Sequence, residues 1–147
     1  MITEAYSNEL DRYFTLWCLC KAMYENWSKV YGFSCNETLV LNFVAKSKFC
    51  TQKQIAEKLE ISKQTVNMIL KRFENDGYVE LTVNEMDKRS KFIKLTKKGR
   101  EISDRLIADL LKIEMDSVRE LGIDNFRQMN DVQEQYIKLF NKFSHSL

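Results

Sequence analysis

An apolar or aromatic residue recurs at every third or fourth position between Leu10 and Tyr31. The members of this stripe are Leu10, Tyr13, Trp17, Cys20, Tyr24, Trp27 and Tyr31. Such spacing is typical of one face of a helix, here sustained over more than about five turns. A second apolar stripe runs beside it, so we expect this helix to be buried by two partners. The 147 residues include no proline and only four glycines, which favours long helices elsewhere as well.

Residues that cap helices mark where the later helices begin. These residues are Ser34, Thr51, Ser62, Thr96 and Asp124. The first two are followed three positions later by Glu37 and Gln54, the spacing of a capping box. The fourth predicted helix, which starts after Ser62, has one apolar face formed by Val66, Ile69, Leu70 and Phe73. The helix after Thr96 is expected to run to about residue 121 and to end at Gly122, since glycine is common just past a helix.

Residues 78–83 and 91–95 alternate between apolar and polar side chains, which is the pattern of β-strands. A polar, mostly charged loop at 84–90 joins them into a hairpin. The sequence therefore predicts a mainly α fold with a small β-hairpin wing, a winged helix-turn-helix core flanked by long dimerisation helices. We expect one domain over residues 1–147, with the winged helix-turn-helix lobe at 34–100. Residues 1–33 and 101–147 would form the dimerisation lobe.

The net charge of +2 is unevenly distributed. Residues 46–100 contain 14 Lys and Arg against 7 Asp and Glu, whereas both flanking segments are acidic. A basic centre between acidic ends offers one surface to a polyanion. On the fourth predicted helix, the buried stripe forces a polar set to point outward, consisting of Lys63, Gln64, Asn67, Met68 and Lys71. Glutamine and asparagine can pair with adenine in the major groove, and lysine can donate to guanine. An ordinary solvated face is the alternative interpretation.

Five segments together resemble the MarR family of bacterial transcription regulators. They are TQKQIAEKL (51–59), SKQTV (62–66), ENDGYV (74–79), DKR (87–89) and LTKKG (95–99). The resemblance implies a winged helix-turn-helix dimer in which the helix after Ser62 reads the major groove. It also implies that Arg89 enters the minor groove, braced by Asp87. The predicted DNA-binding residues are Thr51, Gln52, Ser62, Lys63, Gln64, Thr65, Asn67, Lys71, Asp87, Lys88, Arg89 and Lys91.

The terminal helices carry more apolar surface than one helix-turn-helix unit can cover, and monomers rarely expose such patches. We therefore expect a homodimer, with packing within one chain as the alternative. The predicted dimerisation residues are Leu10, Tyr13, Val118, Leu121, Met129, Tyr136, Leu139 and Phe143. Partners would thus be double-stranded DNA and a second copy of the chain.

The resemblance also implies a small-molecule effector, often a phenolic or other lipophilic anion. Four aromatic residues of the first helix are candidates for its pocket, although such a stripe is equally typical of a plain core. They are Tyr13, Trp17, Tyr24 and Trp27. The expected regulator is a ligand-responsive repressor that binds a pseudo-palindromic operator.

Two other functions remain open at this stage. The first alternative is a basic lobe that docks an acidic protein, and the second is a regulator whose cysteines sense oxidants. The four cysteines are Cys18, Cys20, Cys35 and Cys50. Cys35 and Cys50 lie near predicted helix starts, where a thiolate is favoured. Because free cysteines are most often small buried hydrophobes, redox sensing is the minor alternative.

Several classes are disfavoured by what the sequence lacks. The only histidine is His145, so neither a zinc site nor a nucleophile–His–acid set can be assembled. No glycine-rich phosphate loop is present, and we expect neither enzymatic activity nor a cofactor or metal. The longest apolar run is five residues, far below the roughly 20 of a membrane span. With no secretory signal in the first residues, we expect a cytoplasmic protein with reduced thiols.

Overall fold

The computed structural model describes residues 4–83 and 90–145. Its elements in chain order are α1 (Glu4–Lys29), α2 (Cys35–Lys46), β1 (Cys50–Thr51), α3 (Gln52–Leu59), α4 (Lys63–Asn75), β2 (Val79–Val83), β3 (Lys91–Leu95), α5 (Lys97–Leu121) and α6 (Ile123–Ser144). The fold is mainly helical with one small antiparallel sheet, which confirms the predicted fold class. None of the helices in the described ranges is long and apolar enough to cross a membrane.

The chain divides into two compact units, one up to Leu106 and one from Ile107 onward. The winged helix-turn-helix elements, from α2 to β3, all lie in the first unit. The second unit contains the C-terminal part of α5 and all of α6.

The core of the first unit is built from the helix faces that the sequence predicts. Val66, Ile69, Leu70 and Phe73 of α4 are buried, as their spacing indicates. From α2 and α3 they are joined by Val40, Leu41, Val44, Ile55 and Ala56. Leu39 of α2 is 40% exposed, whereas Val40, Leu41 and Val44 are buried, so these three residues form the inward face of the helix.

The sheet has three strands in the order β1–β3–β2, rather than the two of the predicted hairpin. β2 pairs antiparallel with β3, with Val79 opposite Leu95 and Val83 opposite Lys91. The additional strand β1 pairs with the other edge of β3 and places Cys50 opposite Ile93. Because β1 immediately precedes α3, this pairing fixes the start of the helix-turn-helix against the wing.

Most of the predicted caps are present. Ser34 with Glu37, and Thr51 with Gln54, form complete capping boxes at α2 and α3. At α5, the backbone N–H of Gly99 donates to Thr96 Oγ1 across 3.0 Å. The predicted cap at Asp124 is wrong. α6 begins directly after Gly122, whose φ of 88° makes the turn, so Asp124 lies inside the first helical turn.

The first turn of α5 packs closely on the turn that follows α4. A Cβ added at Gly99 would lie 1.9 Å from the Tyr78 carbonyl oxygen, so only glycine fits there. Thr96 reinforces this contact, because its hydroxyl donates to the Gly77 carbonyl across 2.6 Å. These contacts hold the end of α4, the start of β2 and the start of α5 together.

The first helix is largely exposed within a single chain. Only Ser28 of α1 is buried, so the predicted burial on two sides is not met by the chain alone. Of the predicted effector-pocket residues, Tyr13 and Trp17 are exposed, and Tyr24 and Trp27 are half-buried.

The C-terminal apolar stripe is exposed in the same way. None of the described residues of α6 is buried. Among the predicted dimerisation residues, all except the half-buried Val118 are exposed, with Leu10 of α1 at 51% and Phe143 of α6 at 63%.

Candidate nucleic-acid interface

α4 presents a polar outer face opposite its buried stripe. Lys63, Gln64, Met68 and Lys71 are exposed, while Thr65 and Asn67 are half-buried at the flanks of the helix. This is the orientation that the sequence predicts for these side chains. The outer face therefore combines hydrogen-bonding amides with two ammonium groups and one flexible apolar side chain.

The N-terminus of α4 is closed by Ser62. Its hydroxyl oxygen accepts a hydrogen bond from the backbone N–H of Thr65 across 3.1 Å and lies 2.8 Å from Thr65 Oγ1. Both residues thus lie at the positive end of the helix dipole, where backbone N–H groups attract anions such as phosphate.

The two helices of the helix-turn-helix are joined by a direct side-chain contact. The Gln52 amide nitrogen Nε2 donates to the carbonyl oxygen of Lys63 across 2.9 Å. Gln52 is the first residue of α3 and Lys63 is the first residue of α4, so this bond sets the spacing between the two helix starts. Gln52, predicted to contact DNA, is therefore also a structural link within the motif.

A cleft of about 500 Å³ lies between α4, the start of α3 and the wing strands. Six of the predicted DNA-binding residues line it, namely Thr51, Gln52, Lys63, Asn67, Lys71 and Lys91. Ser62, Gln64 and Thr65 lie on α4 or its cap but outside this lining. The remaining predicted residues, Asp87, Lys88 and Arg89, lie outside the described part of the chain.

The cleft contains residues that the sequence analysis did not select. Lys53 adds a fourth lysine, and Glu74 contributes one carboxylate near the far end of α4. Lys53 was predictable, because the apolar spacing of Ile55, Ala56 and Leu59 already turns it outward on α3. The apolar side chains in the lining, Leu70, Leu81 and Ile93, come from elements far apart in sequence.

The lining is positively charged overall. Lys53 forms an exposed ion pair with Glu57 at 3.8 Å, an arrangement that water largely screens. Within residues 4–83 and 90–145, Lys63, Lys71 and Lys91 have no carboxylate within ion-pair distance. Lys63 and Lys71 extend from α4 and Lys91 from β3, so three ammonium groups border one cleft.

The cysteines do not support the predicted thiolates at helix starts. Burial raises the pKa of Cys50 to about 11, and its Sγ–H donates to the Ile93 carbonyl across 3.8 Å. The pKa of Cys35 is raised as well, by burial and then by the nearby Glu25 carboxylate. Since both pKa values are raised, with burial as the main cause, the expectation that a thiolate is favoured at these two residues is wrong. Cys18 and Cys20 are exposed on α1.

No group of three potential metal ligands from His, Cys, Asp and Glu occurs in the part of the chain that the structure describes.

Comparison with known proteins gives a match to one family model and to a curated relative. Residues 31–90 match the model of the MarR family. An uncharacterized HTH-type transcriptional regulator of Staphylococcus aureus strain MSSA476 is 27% identical over 130 residues, which cover 87% of this chain and 86% of the relative.

Two solved structures have a similar fold. Staphylococcus aureus MarR in complex with salicylate and kanamycin matches with a TM-score of 0.75 and 23% identity, over 95% of each chain. A mutant of Escherichia coli MarR in complex with operator DNA matches with a TM-score of 0.74 and 18% identity, over 87% of this chain and 93% of the other. The matched segment is similar to the MarR family, the relative is an HTH-type transcriptional regulator, and the fold of the chain is that of the solved winged helix-turn-helix MarR structures.

Proposed function

We propose that the chain binds double-stranded DNA in a sequence-specific manner and acts as a homodimeric, ligand-responsive repressor at a pseudo-palindromic operator. The observation that carries this proposal is the lysine-lined cleft beside the polar outer face of α4. The solved complex of the E. coli relative with operator DNA supports it as a likeness in fold. A bacterial regulator of this kind acts in the cytoplasm, where the DNA lies.

In this proposal α4 lies in the major groove and reads bases through its amide side chains. Gln64 is at the centre of the outer face, and Asn67 faces the cleft. Each can donate and accept at once, which matches the edge of adenine. Lys63 and Lys71 can donate to guanine or to the flanking phosphates.

Other residues position the duplex through its phosphates. The Ser62 and Thr65 hydroxyls lie at the N-terminus of α4, and Lys53 of α3 and Lys91 of β3 both line the cleft. Such contacts carry no sequence information but fix the register of the protein on DNA. They also make the affinity strongly dependent on salt, because each neutralised phosphate releases counterions.

The wing is proposed to contact the neighbouring minor groove through Arg89, with Asp87 as its brace and Lys88 on the backbone. These three residues lie outside the described ranges, and their role is supported by their sequence and by the family. The strands that flank them, β2 and β3, belong to the same sheet that borders the cleft.

The homodimer is supported by the apolar stripes that a single chain leaves exposed. On α1 these include Leu10 and Tyr13, and on α6 they include Met129, Tyr136, Leu139 and Phe143. Together they exceed the scattered apolar residues normal for a monomer surface. A two-fold dimer would also present two copies of α4 to the two half-sites of a palindrome, which lie about one helical turn apart.

An effector is supported by the aromatic residues of α1, among them Trp27, whose ring lies 5.2 Å from that of Tyr31 in the turn after the helix. The solved complex of S. aureus MarR contains salicylate, a small aromatic anion. We infer that Tyr13, Trp17, Tyr24 and Trp27 line a pocket for a ligand of this chemical class.

Selection of genomic DNA fragments by the purified protein, followed by sequencing, tests the proposed function. We expect enrichment of a two-fold symmetric motif that is lost in the Arg89→Ala variant and retained in Arg105→Ala, which removes an exposed cation from α5. Absence of any enriched motif at moderate salt, with and without salicylate, would contradict the proposal and favour docking of an acidic protein.

A further inference from the structure

We propose that Arg72 is a positioning residue that fastens the recognition helix α4 to the turn between α1 and α2 and so sets which base edges α4 reaches. This inference rests on the proposed DNA binding and assigns a role to a residue on the edge of the outer face of α4.

Every nitrogen of the Arg72 guanidinium has a partner within the protein. Nη1 lies 2.5 Å from Glu37 Oε1, Nη2 donates to the Gly32 carbonyl across 3.0 Å, and Nε lies 3.5 Å from an Asp76 carboxylate oxygen. Because each nitrogen contacts a protein oxygen and two carboxylates lie beside the guanidinium, its positive charge is already partly balanced within the protein.

Glu37 is a firm anchor for this contact. It is only 7% exposed, and its second carboxylate oxygen accepts the backbone N–H of Ser34 across 2.7 Å as part of the α2 capping box. One carboxylate therefore closes the N-terminus of α2 and holds α4. The Arg72 side chain is 47% exposed, but its loss would leave the buried Glu37 carboxylate without this cationic partner, which is costly.

The other anchor belongs to the end of α1. The Gly32 N–H donates to the Lys29 carbonyl, and the Phe33 N–H donates to the Ser28 carbonyl, so this turn is a direct continuation of the helix. The Phe33 ring lies below the guanidinium, 5.9 Å from it, and packs edge-on against Phe73 of α4. A shift at the end of α1 is thereby transmitted to α4 through both a polar and an aromatic contact.

Arg72 lies on the flank of α4 away from the cleft. Lys63, Asn67 and Glu74 line the cleft on one flank, whereas Arg72 points to the α1–α2 turn on the other. Base contacts depend on hydrogen-bond geometry, whereas phosphate contacts through flexible lysines tolerate small displacements. Loss of the Arg72 contact should therefore reduce sequence discrimination more than overall attraction to DNA.

The test uses variants of the full chain. Their affinity for the duplex most enriched in the genomic selection is compared with their affinity for a scrambled duplex of equal length. Arg72→Lys keeps the charge but loses the fork geometry. Glu37→Gln keeps the capping box, for which glutamine is also suited, but loses the ion pair. Arg105→Lys is the matched control on an exposed position of α5.

We expect Arg72→Lys and Glu37→Gln each to lower the affinity for the enriched duplex by about tenfold or more, similar to the loss of one paired base contact. Affinity for the scrambled duplex and the salt dependence of binding should stay as in the unmodified chain. The double variant should lose no more than either single variant, because both remove the same contact.

A different pattern would overturn the proposal. One such pattern is normal binding of the enriched duplex by Arg72→Lys, together with a slope of log affinity against log salt that is shallower by about one in Arg72→Gln. This result would show that Arg72 contacts a phosphate directly. If both single variants retain normal discrimination, the contact does not position α4.

Hydrogen exchange of the α4 amides gives a readout that does not depend on DNA. Arg72→Lys and Glu37→Gln should speed exchange in the C-terminal half of α4 and leave α6 unchanged. If the unmodified chain selects no duplex, the proposed function fails. The exchange pattern then decides alone whether Arg72 holds α4 in place. Exchange rates of the α4 amides that are unchanged in both variants would refute this role of Arg72.

Discussion

The side-chain amide of Gln52, the first residue of α3, donates a hydrogen bond to the backbone carbonyl of Lys63, the first residue of α4. The Gln52 Nε2 atom and the Lys63 carbonyl oxygen are 2.9 Å apart. This one bond crosses the turn of the helix-turn-helix. It fixes where the N-terminus of α4, with its Ser62 cap, lies relative to the wall of the cleft formed by Thr51 and Gln52.

Replacing Gln52 with glutamate should weaken this link, because a carboxylate cannot donate to the Lys63 carbonyl. We expect the free energy of unfolding to fall by about 0.5–1.5 kcal/mol, the usual net value of one such hydrogen bond. Urea denaturation measures it, with Gln64→Glu as the control on an exposed position of α4. Equal stability of the two variants would show that the bond contributes nothing.

Lys71→Ala should lower DNA affinity about equally for specific and non-specific duplexes. Its exposed ammonium group has no carboxylate partner within the described ranges, so it can neutralise a phosphate. The slope of log affinity against log salt should become shallower by about one. Titrations between low and moderate salt measure this slope, and an unchanged slope would remove Lys71 from the phosphate contacts.

Cys50 should make the folded chain less stable in alkaline solution. Its pKa in the folded state is raised from about 9 to about 11, so the fold favours the protonated thiol. This contribution is fully present below pH 9 and is lost as the pH rises through 11, because the unfolded chain ionises first.

Comparison with Cys50→Ala isolates this effect from the titration of other groups. The stability difference between the unmodified chain and the variant should shrink between pH 9 and pH 11 in denaturation experiments. A difference that is constant over this range would show that the Cys50 thiol is not protected by burial.

Leu139→Lys should dissociate the proposed homodimer, because it places a charge in the exposed apolar stripe of α6. Sedimentation equilibrium should give twice the chain mass of 17.5 kDa for the unmodified protein and the single mass for the variant. Asn141→Lys on the opposite side of α6 is the control. A monomer in the unmodified chain, or a dimer in both variants, would contradict this assignment.

The sequence predicts the parts of the fold that depend on short-range patterns. The inward and outward faces of α4 follow from its spacing of three and four, and the capping boxes at Ser34 and Thr51 follow from local hydrogen bonding. The strand β1 was not predicted, because a strand of two residues is too short to show an alternating pattern of apolar and polar side chains. Asp124 was misassigned because Gly122 makes the turn before α6 by its backbone conformation alone.

Long-range contacts lie beyond such patterns. The ion pair between Glu37 and Arg72 joins residues 35 positions apart, and neither residue belongs to a motif that implies it. The raised pKa values of Cys35 and Cys50 depend on burial by other elements, which position near a helix start does not indicate. Six residues that line the cleft were predicted to bind DNA, whereas the cleft itself, with its apolar residues Leu81 and Ile93, depends on contacts between distant elements.

The central claim is that the outer face of α4 reads base pairs, and a selection of random duplexes by Gln64→Ala and Asn67→Ala tests it most directly. We predict that each variant loses preference at one symmetric pair of positions, by about 1–3 kcal/mol per paired base contact, and keeps its preference elsewhere. Met68→Leu, which conserves the apolar surface of the same face, should retain the parent motif. If both alanine variants select the same motif as the unmodified chain with equal discrimination, α4 does not read the DNA sequence.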